Sequence, residues 1–251
     1  MTIRLSTGLA NNLVGPTGLA ASFAGGVIDI YTGSQPATAD SAISGTRLGR
    51  VSIASTTYVA ETPASATLTL AGASGSINVV TVGTFNIIPL GAVAFVTDLA
   101  TTAQALADAI VRNGIYTATA SGAVVTIKAP PGTGAAHNGL ALAYTATTMT
   151  ATSSGNVTGG VAATAGLQWG TPSGGTVSKS GVWSFNGEAA GTAGWFRIKA
   201  SAVDADGAST TAVRLDGSIA VSGADMNLSN TSITIGAPTT IDSMSVTMPK
   251  S

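Results

Sequence analysis

Apolar and polar residues alternate in short runs along the chain, and clusters of Gly, Ser, Asn and Pro separate these runs. An alternation with a period of two predicts β-strands that bury one face, because successive side chains of a strand point to opposite sides of the sheet. Many short strands separated by turns are typical of a sandwich, a jelly roll or a barrel. The sequence therefore predicts a mainly β protein, with strands in residues 27–31, 49–53, 124–128, 194–200, 232–235 and 242–248.

One segment has a helical period instead. Its apolar side chains fall on one side of an α-helix: Ala103, Leu106, Ala107, Ile110 and Val111. Thr101 or Thr102 can cap the start of this helix, and Asn113-Gly114 supplies a stop signal. The pattern predicts one short amphipathic helix over residues 101–112.

The amino-terminal segment carries a weaker helical pattern from Thr7 to Phe23, which Gly15-Pro16 interrupts. Asn11-Asn12 and Gly15-Pro16 favour an extended segment over a core helix. We therefore expect residues 1 to about 23 to form an arm that makes contacts outside its own subunit. Deleting such an arm would weaken assembly without unfolding the domain.

Charged residues are distributed unevenly. Residues 63–163 hold only four charged side chains, and the two flanks hold all the others. This contrast predicts an α+β domain at 63–163 that carries the single helix and is inserted into a β-sandwich or jelly-roll-like domain built from residues 1–62 and 164–251. The inserted domain would contain strands at residues 77–82, 85–88, 116–119, 124–128 and 140–144.

Composition narrows the possible partners. The charged fraction is 8%, against about 25% in an average domain, and the formal net charge is −1. Nucleic-acid affinity comes largely from Lys and Arg that neutralise phosphates, so we expect no direct nucleic-acid partner. Residues 62–97 and 129–178 carry no charge, but Gly, Ser, Thr, Asn or Pro interrupts them every few residues, so we also expect no membrane partner. A surface with so few charges favours burial in an assembly, including homo-oligomers.

Candidate chemistry is sparse. The sole histidine, His137, lies in a Gly-rich loop and cannot form a two-histidine metal site, and the chain has no cysteine. Gly132-Thr133-Gly134 lacks the Lys and the helix start of a phosphate loop. We therefore predict no catalytic, cofactor-binding or metal-binding residues.

Two groups of acidic residues have competing interpretations. Asp204-Ala205-Asp206-Gly207 looks like the start of a calcium loop, but Leu215 stands where an EF-hand needs Glu, so a turn between strands is favoured. Glu61 and Glu188 are the only glutamates, and a glycosidase would need both in one cleft. The chain also lacks a series of aromatic sugar platforms, because its three tryptophans occupy strand-like positions that favour core packing: Trp169, Trp183 and Trp195.

Several segments resemble virion proteins of tailed bacteriophages. In the flanks these are residues 2–9, 26–40, 191–197, 215–218 and 222–230. The insertion is similar to small domains of phage tail and head proteins through residues 102–110, 116–122 and 124–127. The resemblance brings no catalytic residues with it, and it implies a structural protein of the virion, similar to head decoration or cement proteins or to tail-associated β proteins.

We therefore expect a non-enzymatic structural protein located in the virion. The leading hypothesis is a capsid cement or decoration protein, bound in many copies to the major capsid protein on the outer surface of the head. A collar, tail or baseplate-associated protein is the alternative within the structural class. A host receptor-binding or carbohydrate-binding module is the alternative from a different class.

Overall fold

A computed structural model describes residues 3–15, 17–228, 230–241 and 243–248. Pro16 of the predicted helix break and Asp242 of the last predicted strand lie outside these residues. Strands make up 42% of the structure described and helices 11%, which confirms the prediction of a mainly β fold. Within the described residues, no helix is long and apolar enough to cross a membrane.

The chain divides into two compact units. Unit 1 consists of residues 1–61 and 163–251, and unit 2 of residues 62–162. Each boundary lies one residue before the position at which the charge contrast places it. The change of unit falls on a two-stranded ribbon, in which Val59 pairs with Thr164 within unit 1 and Thr62 pairs with Val161 within unit 2.

Unit 1 is built around a nine-stranded sheet in the order β1-β16-β15-β2-β3-β14-β19, with β17 beside β16 and β18 beside β15. A three-stranded sheet, β12-β13-β20, and two short helices complete the unit. Its elements are β1 (Arg4–Leu5), α1 (Thr7–Val14), α2 (Leu19–Ser22), β2 (Val27–Thr32), β3 (Arg47–Ile53), β12 (Gln168–Trp169), β13 (Thr176–Ser180), β14 (Trp183–Asn186), β15 (Gly191–Lys199), β16 (Arg214–Ala220), β17 (Met226–Asn227), β18 (Ser232–Ile233), β19 (Pro238–Ile241) and β20 (Ser245–Thr247).

The central strands of this sheet bury both of their faces. Alternate residues such as Ile30, Phe196 and Leu215 enter the apolar core of unit 1, together with Trp183 and with side chains of the three-stranded sheet. The residues between them point to the opposite face, where Asp29, Arg197 and Asp216 are fully buried. One side of the sheet is therefore an ordinary hydrophobic core, and the other is polar and is buried at its central strands.

The amino-terminal segment is not an extended arm, so that prediction was wrong. Ser6 caps α1 by accepting a hydrogen bond from the Leu9 backbone N–H, and its own hydroxyl donates to the Ala212 carbonyl at 2.7 Å. Leu9 and Phe23 are 0% and 1% exposed, and both belong to the core of unit 1. The break that suggests an extended segment separates two short helices, and one anchor of the core lies in α1 while the other directly follows α2.

Unit 2 contains two four-stranded sheets and one helix. The first sheet has the order β10-β5-β6, with β7 also paired to β5, and the second has the order β11-β4-β9-β8. The elements are β4 (Ser65–Ala71), β5 (Ser76–Val82), β6 (Phe85–Asn86), β7 (Val93–Ala94), α3 (Leu99–Arg112), β8 (Thr117–Ser121), β9 (Val124–Lys128), β10 (Leu142–Thr147) and β11 (Thr150–Ser153).

The helix of unit 2 lies where its apolar pattern places it, but its start differs. The N-cap is Asp98, whose carboxylate accepts a 2.7 Å hydrogen bond from the Thr101 N–H, so neither Thr101 nor Thr102 is the cap. The Thr102 hydroxyl instead donates to the Asp98 carbonyl. Leu106 and Ile110 are fully buried in a core formed with both sheets.

Candidate functional site: a buried charge ladder

The main concentration of functional groups lies on the polar face of the large sheet in unit 1. Strand register aligns five charged residues in one row across five neighbouring strands, and their charges alternate in sign. We call this row the charge ladder: Arg4 on β1, Asp216 on β16, Arg197 on β15, Asp29 on β2 and Arg50 on β3. In a chain with so few charges, this alignment is the most distinctive polar feature.

Both carboxylates of the ladder are held bidentately. Arg197 donates from Nε and Nη2 to the two oxygens of Asp216 at 2.7 Å each, and both side chains are 0% exposed. Arg50 donates to the two oxygens of Asp29 at 2.7 and 2.8 Å. Paired, planar contacts of this kind fix orientation as well as charge. Side-chain motion in the ladder is therefore tightly restricted.

Two further cations tie the ladder to the connection between β15 and β16, residues 200–213. Lys199 Nζ lies 2.6 Å from Asp29 and 2.9 Å from Asp206. Arg214 holds Asp204 bidentately at 2.7 and 2.5 Å. The Asp204 carboxylate also accepts a bond from the Asp206 N–H, which forms a local turn. The acidic run lies between two antiparallel neighbours, as the turn interpretation places it, but within a long connection and not in a tight hairpin turn.

The connection between β2 and β3, residues 33–46, is held by arginines through its backbone carbonyls. Arg4 donates to the Pro36 carbonyl, and Arg197 Nη2 to the Ser41 carbonyl at 3.2 Å. Arg214 Nη1 lies 3.4 Å from the carbonyl oxygens of Ala39 and Ser41. Buried backbone carbonyls need such partners. The arginines therefore satisfy a loop that contributes few apolar side chains of its own.

Aromatic rings complete the polar face. Tyr31 and Trp195 stack with ring centroids 4.5 Å apart, and both are 0% exposed. The Arg197 guanidinium lies 5.5 Å from the centre of the Trp195 ring. A cation over an aromatic face is attracted by the negative charge of that face. Trp195 and Trp183 are buried as predicted, although Trp195 packs among charges and not in the apolar core.

The electrostatic consequences differ between the carboxylates. Burial opposes ionisation of Asp29, but hydrogen bonds and charges from Arg50 and Lys199 outweigh it and lower its pKa. The pKa of Asp204 is lowered in the same way by Arg214, against the effect of burial. Burial raises the pKa of Asp216, and the partner Arg197 offsets this only in part. Nearby, burial raises the pKa of Tyr58 to about 12.

A small cavity of about 90 Å³ adjoins the ladder, and its lining includes Arg50, Tyr58, Lys199 and Asp204. Each of these four side chains is engaged with another protein group: Asp29, the Ser201 carbonyl, Asp206 and Arg214 respectively. Groups that are neutralised in pairs position the chain well but have little capacity to exchange protons or attack a substrate. The arrangement is suited to structural support.

The residues that sequence reasoning considered for chemistry have different surroundings. His137 is in a turn region of unit 2, where its ring meets Tyr116 edge-on with centroids 5.6 Å apart and burial lowers its pKa. Glu61 is 2% exposed in unit 1. Glu188 is largely solvent-accessible and pairs with Arg47 at 2.8 Å. Among the described residues, no group of three His, Asp or Glu side chains is placed to hold a metal ion.

Sequence reasoning missed the ladder, although a signal for it was present. Asp29 interrupts the apolar run Val27–Thr32, and charges recur at every second position in β15 and β16: Arg197 with Lys199, and Arg214 with Asp216. Charges with a strand period predict a polar face, but only the pairing of distant strands shows that this face is covered.

A comparison with protein-family models, curated proteins and solved structures finds no match to the chain.

Proposed function

We propose that this chain is a non-enzymatic structural protein that serves as a multi-copy building block of a large assembly. The observation that carries the proposal is the charge ladder. Unit 1 has few charged residues, and the ladder and the cations beside it pair many of them with one another inside the unit. These charges stabilise the fold of each subunit. The remaining surface is left rich in small, neutral side chains that can be buried against neighbours at little desolvation cost.

Unit 2 supplies such a surface. The outward-facing positions of its β11-β4-β9-β8 sheet carry exposed hydroxyl side chains, among them Thr69, Thr117, Thr119 and Thr152. Its four charged residues are all exposed and scattered over helix and strand ends: Asp98, Asp108, Arg112 and Lys128. Such a sheet presents a nearly uncharged face.

The assembly that the sequence resemblance favours is the virion of a tailed bacteriophage. Within it, we assign the protein to the outer head surface as a cement or decoration protein that contacts the major capsid protein. A wide neutral β surface is suited to this role, because binding across many capsid joints adds stability by mass action on the assembled shell. The receptor-binding alternative gains little support, since Tyr116 is only 4% exposed and Phe85, at 42%, is the one exposed aromatic side chain among the described residues of unit 2.

The test is to locate the protein in virions of the phage that encodes it, by an icosahedrally averaged density map and by quantifying it against the major capsid protein. We expect many copies per head, in a fixed ratio to capsid subunits. Heads assembled without it should release DNA at a lower temperature. Location only in the tail or collar would overturn the cement assignment, and absence from particles would overturn the structural role altogether.

A further inference from the structure

The sheets of the two units end in different kinds of edge strand. In unit 1, the edge strand β1 is two residues long and contains Arg4, and the opposite edge strand β19 begins with Pro238. Short length, charge and proline are the devices by which proteins prevent an edge from pairing with another chain. In unit 2, β8 is a five-residue edge strand, paired only with β9, that contains neither charge nor proline.

The register of β8 shows which backbone groups point outward. A two-residue turn at Gly122-Ala123 joins β8 to β9, and it is closed by the pair Ser121 and Val124. The closing pair of such a turn is hydrogen-bonded, and the pairs then alternate along the ladder. Ala118 and Ala120 therefore direct their backbone N–H and C=O groups away from β9. Within the part of the chain that the structure describes, no hydrogen bond to another element occupies these groups.

The side chains of β8 leave this edge accessible. Thr117, Thr119 and Ser121 are exposed on the outer face of the sheet, whereas Ala118 and Ala120 are half-buried against the core on the side of α3. None of these side chains is long enough to cover the backbone. The helix contacts β8 as well as β9, and it does so from the inner face of the sheet, toward which Ala118 and Ala120 point.

We propose that β8 pairs antiparallel with β8 of a second copy of this chain, on a two-fold axis at Thr119. In this register Ala118 of one copy lies opposite Ala120 of the other, so each donates to and accepts from the outward groups of its partner. A two-fold interface must be self-complementary. The neutral strand meets this condition, because Thr117 faces Ser121 and no like charges meet across the axis. The two four-stranded sheets would become one continuous sheet.

The inference rests on the proposed role as a multi-copy building block, and it identifies the contact between copies. One short strand buries little area, so the pair is weak between free subunits. It becomes effective where a shell holds many copies side by side at high local concentration. The proposed contact is therefore best tested by trapping it covalently.

The chain has no cysteine, so a single Thr119→Cys substitution gives an unambiguous probe. Across the two-fold, Thr119 forms a non-hydrogen-bonded pair with a Cα separation of about 4.5 Å, which a disulfide can span. Under mild oxidation we expect Thr119→Cys to form a covalent dimer. Thr117→Cys and Ser121→Cys should each remain monomeric alone but link to each other when mixed. Thr69→Cys, exposed on a central strand of the same sheet, is the matched control and should stay monomeric.

A second substitution tests the backbone contact. Ala118→Pro removes one outward N–H without removing a bond to β9, so adding it to Thr119→Cys should abolish the covalent dimer. At high protein concentration, sedimentation should detect association of the wild-type protein but not of the Thr119→Lys variant. Failure of Thr119→Cys to link, or linking by Thr69→Cys to the same extent, would overturn the proposal. Virion location is measured separately, so either proposal can fail while the other stands.

Discussion

The two units bury different chemistry. Unit 1 encloses Arg197 and Asp216 with no exposure at all and places Asp29, Lys199 and Arg214 beside them. In unit 2 every one of the four charged side chains is exposed, and the core contains no charged residue, with Leu106 and Ile110 of the helix packed on both sheets. The difference follows from what covers each sheet. A helix with an apolar stripe covers the sheets of unit 2, whereas irregular loops cover the polar face of unit 1.

Loops require hydrogen-bond partners more than they require hydrophobic contact, because their backbone groups are not paired in a ladder. Arginine meets this need, since one guanidinium can bind a carboxylate bidentately and still donate to a carbonyl. Buried ion pairs add little net stability compared with apolar residues of equal volume, but removing one partner is costly. We therefore expect the stability of unit 1 to fall when one partner of a buried ion pair is removed. The stability of unit 2 should fall when a substitution leaves a cavity in its core.

The largest expected effect comes from breaking the fully buried pair of the ladder. Asp216→Leu leaves Arg197 charged and uncompensated, which should destabilise unit 1 by about 3–5 kcal/mol. The double substitution Arg197→Met with Asp216→Leu should recover most of this loss. All three tryptophans lie in unit 1, so denaturant unfolding followed by tryptophan fluorescence reports on that unit. A double variant as unstable as the single one would contradict the pairwise account.

A cavity in unit 2 should have a similar or smaller effect there. Leu106→Ala removes a fully buried side chain of α3 and should cost about 2–5 kcal/mol. Val111→Ala on the same helix is the control, because Val111 is 48% exposed. Amide hydrogen exchange should show lost protection in residues 62–162 only for Leu106→Ala. Equal losses for the two variants would show that core packing does not stabilise unit 2.

The sequence predicted the parts of the fold that depend on local pattern. The strand over Val124–Lys128 and the body of the helix over Leu99–Arg112 both follow from periodicity. The sequence misplaced features that depend on distant contacts. Phe23 is buried because unit 1 offers it a core, and Asp29 is buried because cations of β3 and β15 flank it. No local window contains these partners.

A smaller effect is expected from the helix cap. Asp98→Ala removes the acceptor of the Thr101 N–H, so it should destabilise unit 2 by a fraction of the Leu106→Ala effect. Asp98→Asn, which retains a capping oxygen, should remain close to wild type. The readout is hydrogen exchange of the first turn of α3. Equal exchange in Asp98→Ala and wild type would show that another residue caps the helix.

The smallest effect is expected from the solvent-exposed pair. Arg47 and Glu188 are 37% and 43% exposed, so Glu188→Gln should change the stability of unit 1 by less than about 1 kcal/mol. The difference from wild type should shrink further in high salt, because salt screens exposed charges. An effect as large as that of Asp216→Leu would mean that exposure does not separate the important pairs from the minor ones.

Acid should affect the stability of the two units differently, because unit 1 contains buried aspartates whose pKa values are shifted. Asp29 and Asp204 have lowered pKa values, so the stability that they contribute is present above their unfolded pKa and is lost as pH falls through the folded value. Asp216 acts in the opposite direction, because its raised pKa favours the folded state as pH falls through that value. Below about pH 4, the ordinary pKa of aspartate, the two aspartates with lowered pKa values should therefore determine how the stability of unit 1 changes with pH.

The most direct test of the account is therefore an acid titration in which both units are followed in one sample. Tryptophan fluorescence reports unit 1, and backbone amide signals of residues 62–162 report unit 2. We predict that unit 1 loses stability progressively below about pH 4, while unit 2 loses less, because its carboxylate with a lowered pKa, Asp98, is an exposed helix cap and not part of a buried ion pair. Simultaneous loss of both units, or earlier loss of unit 2, would contradict the claim that buried ion pairs hold one unit and apolar packing the other.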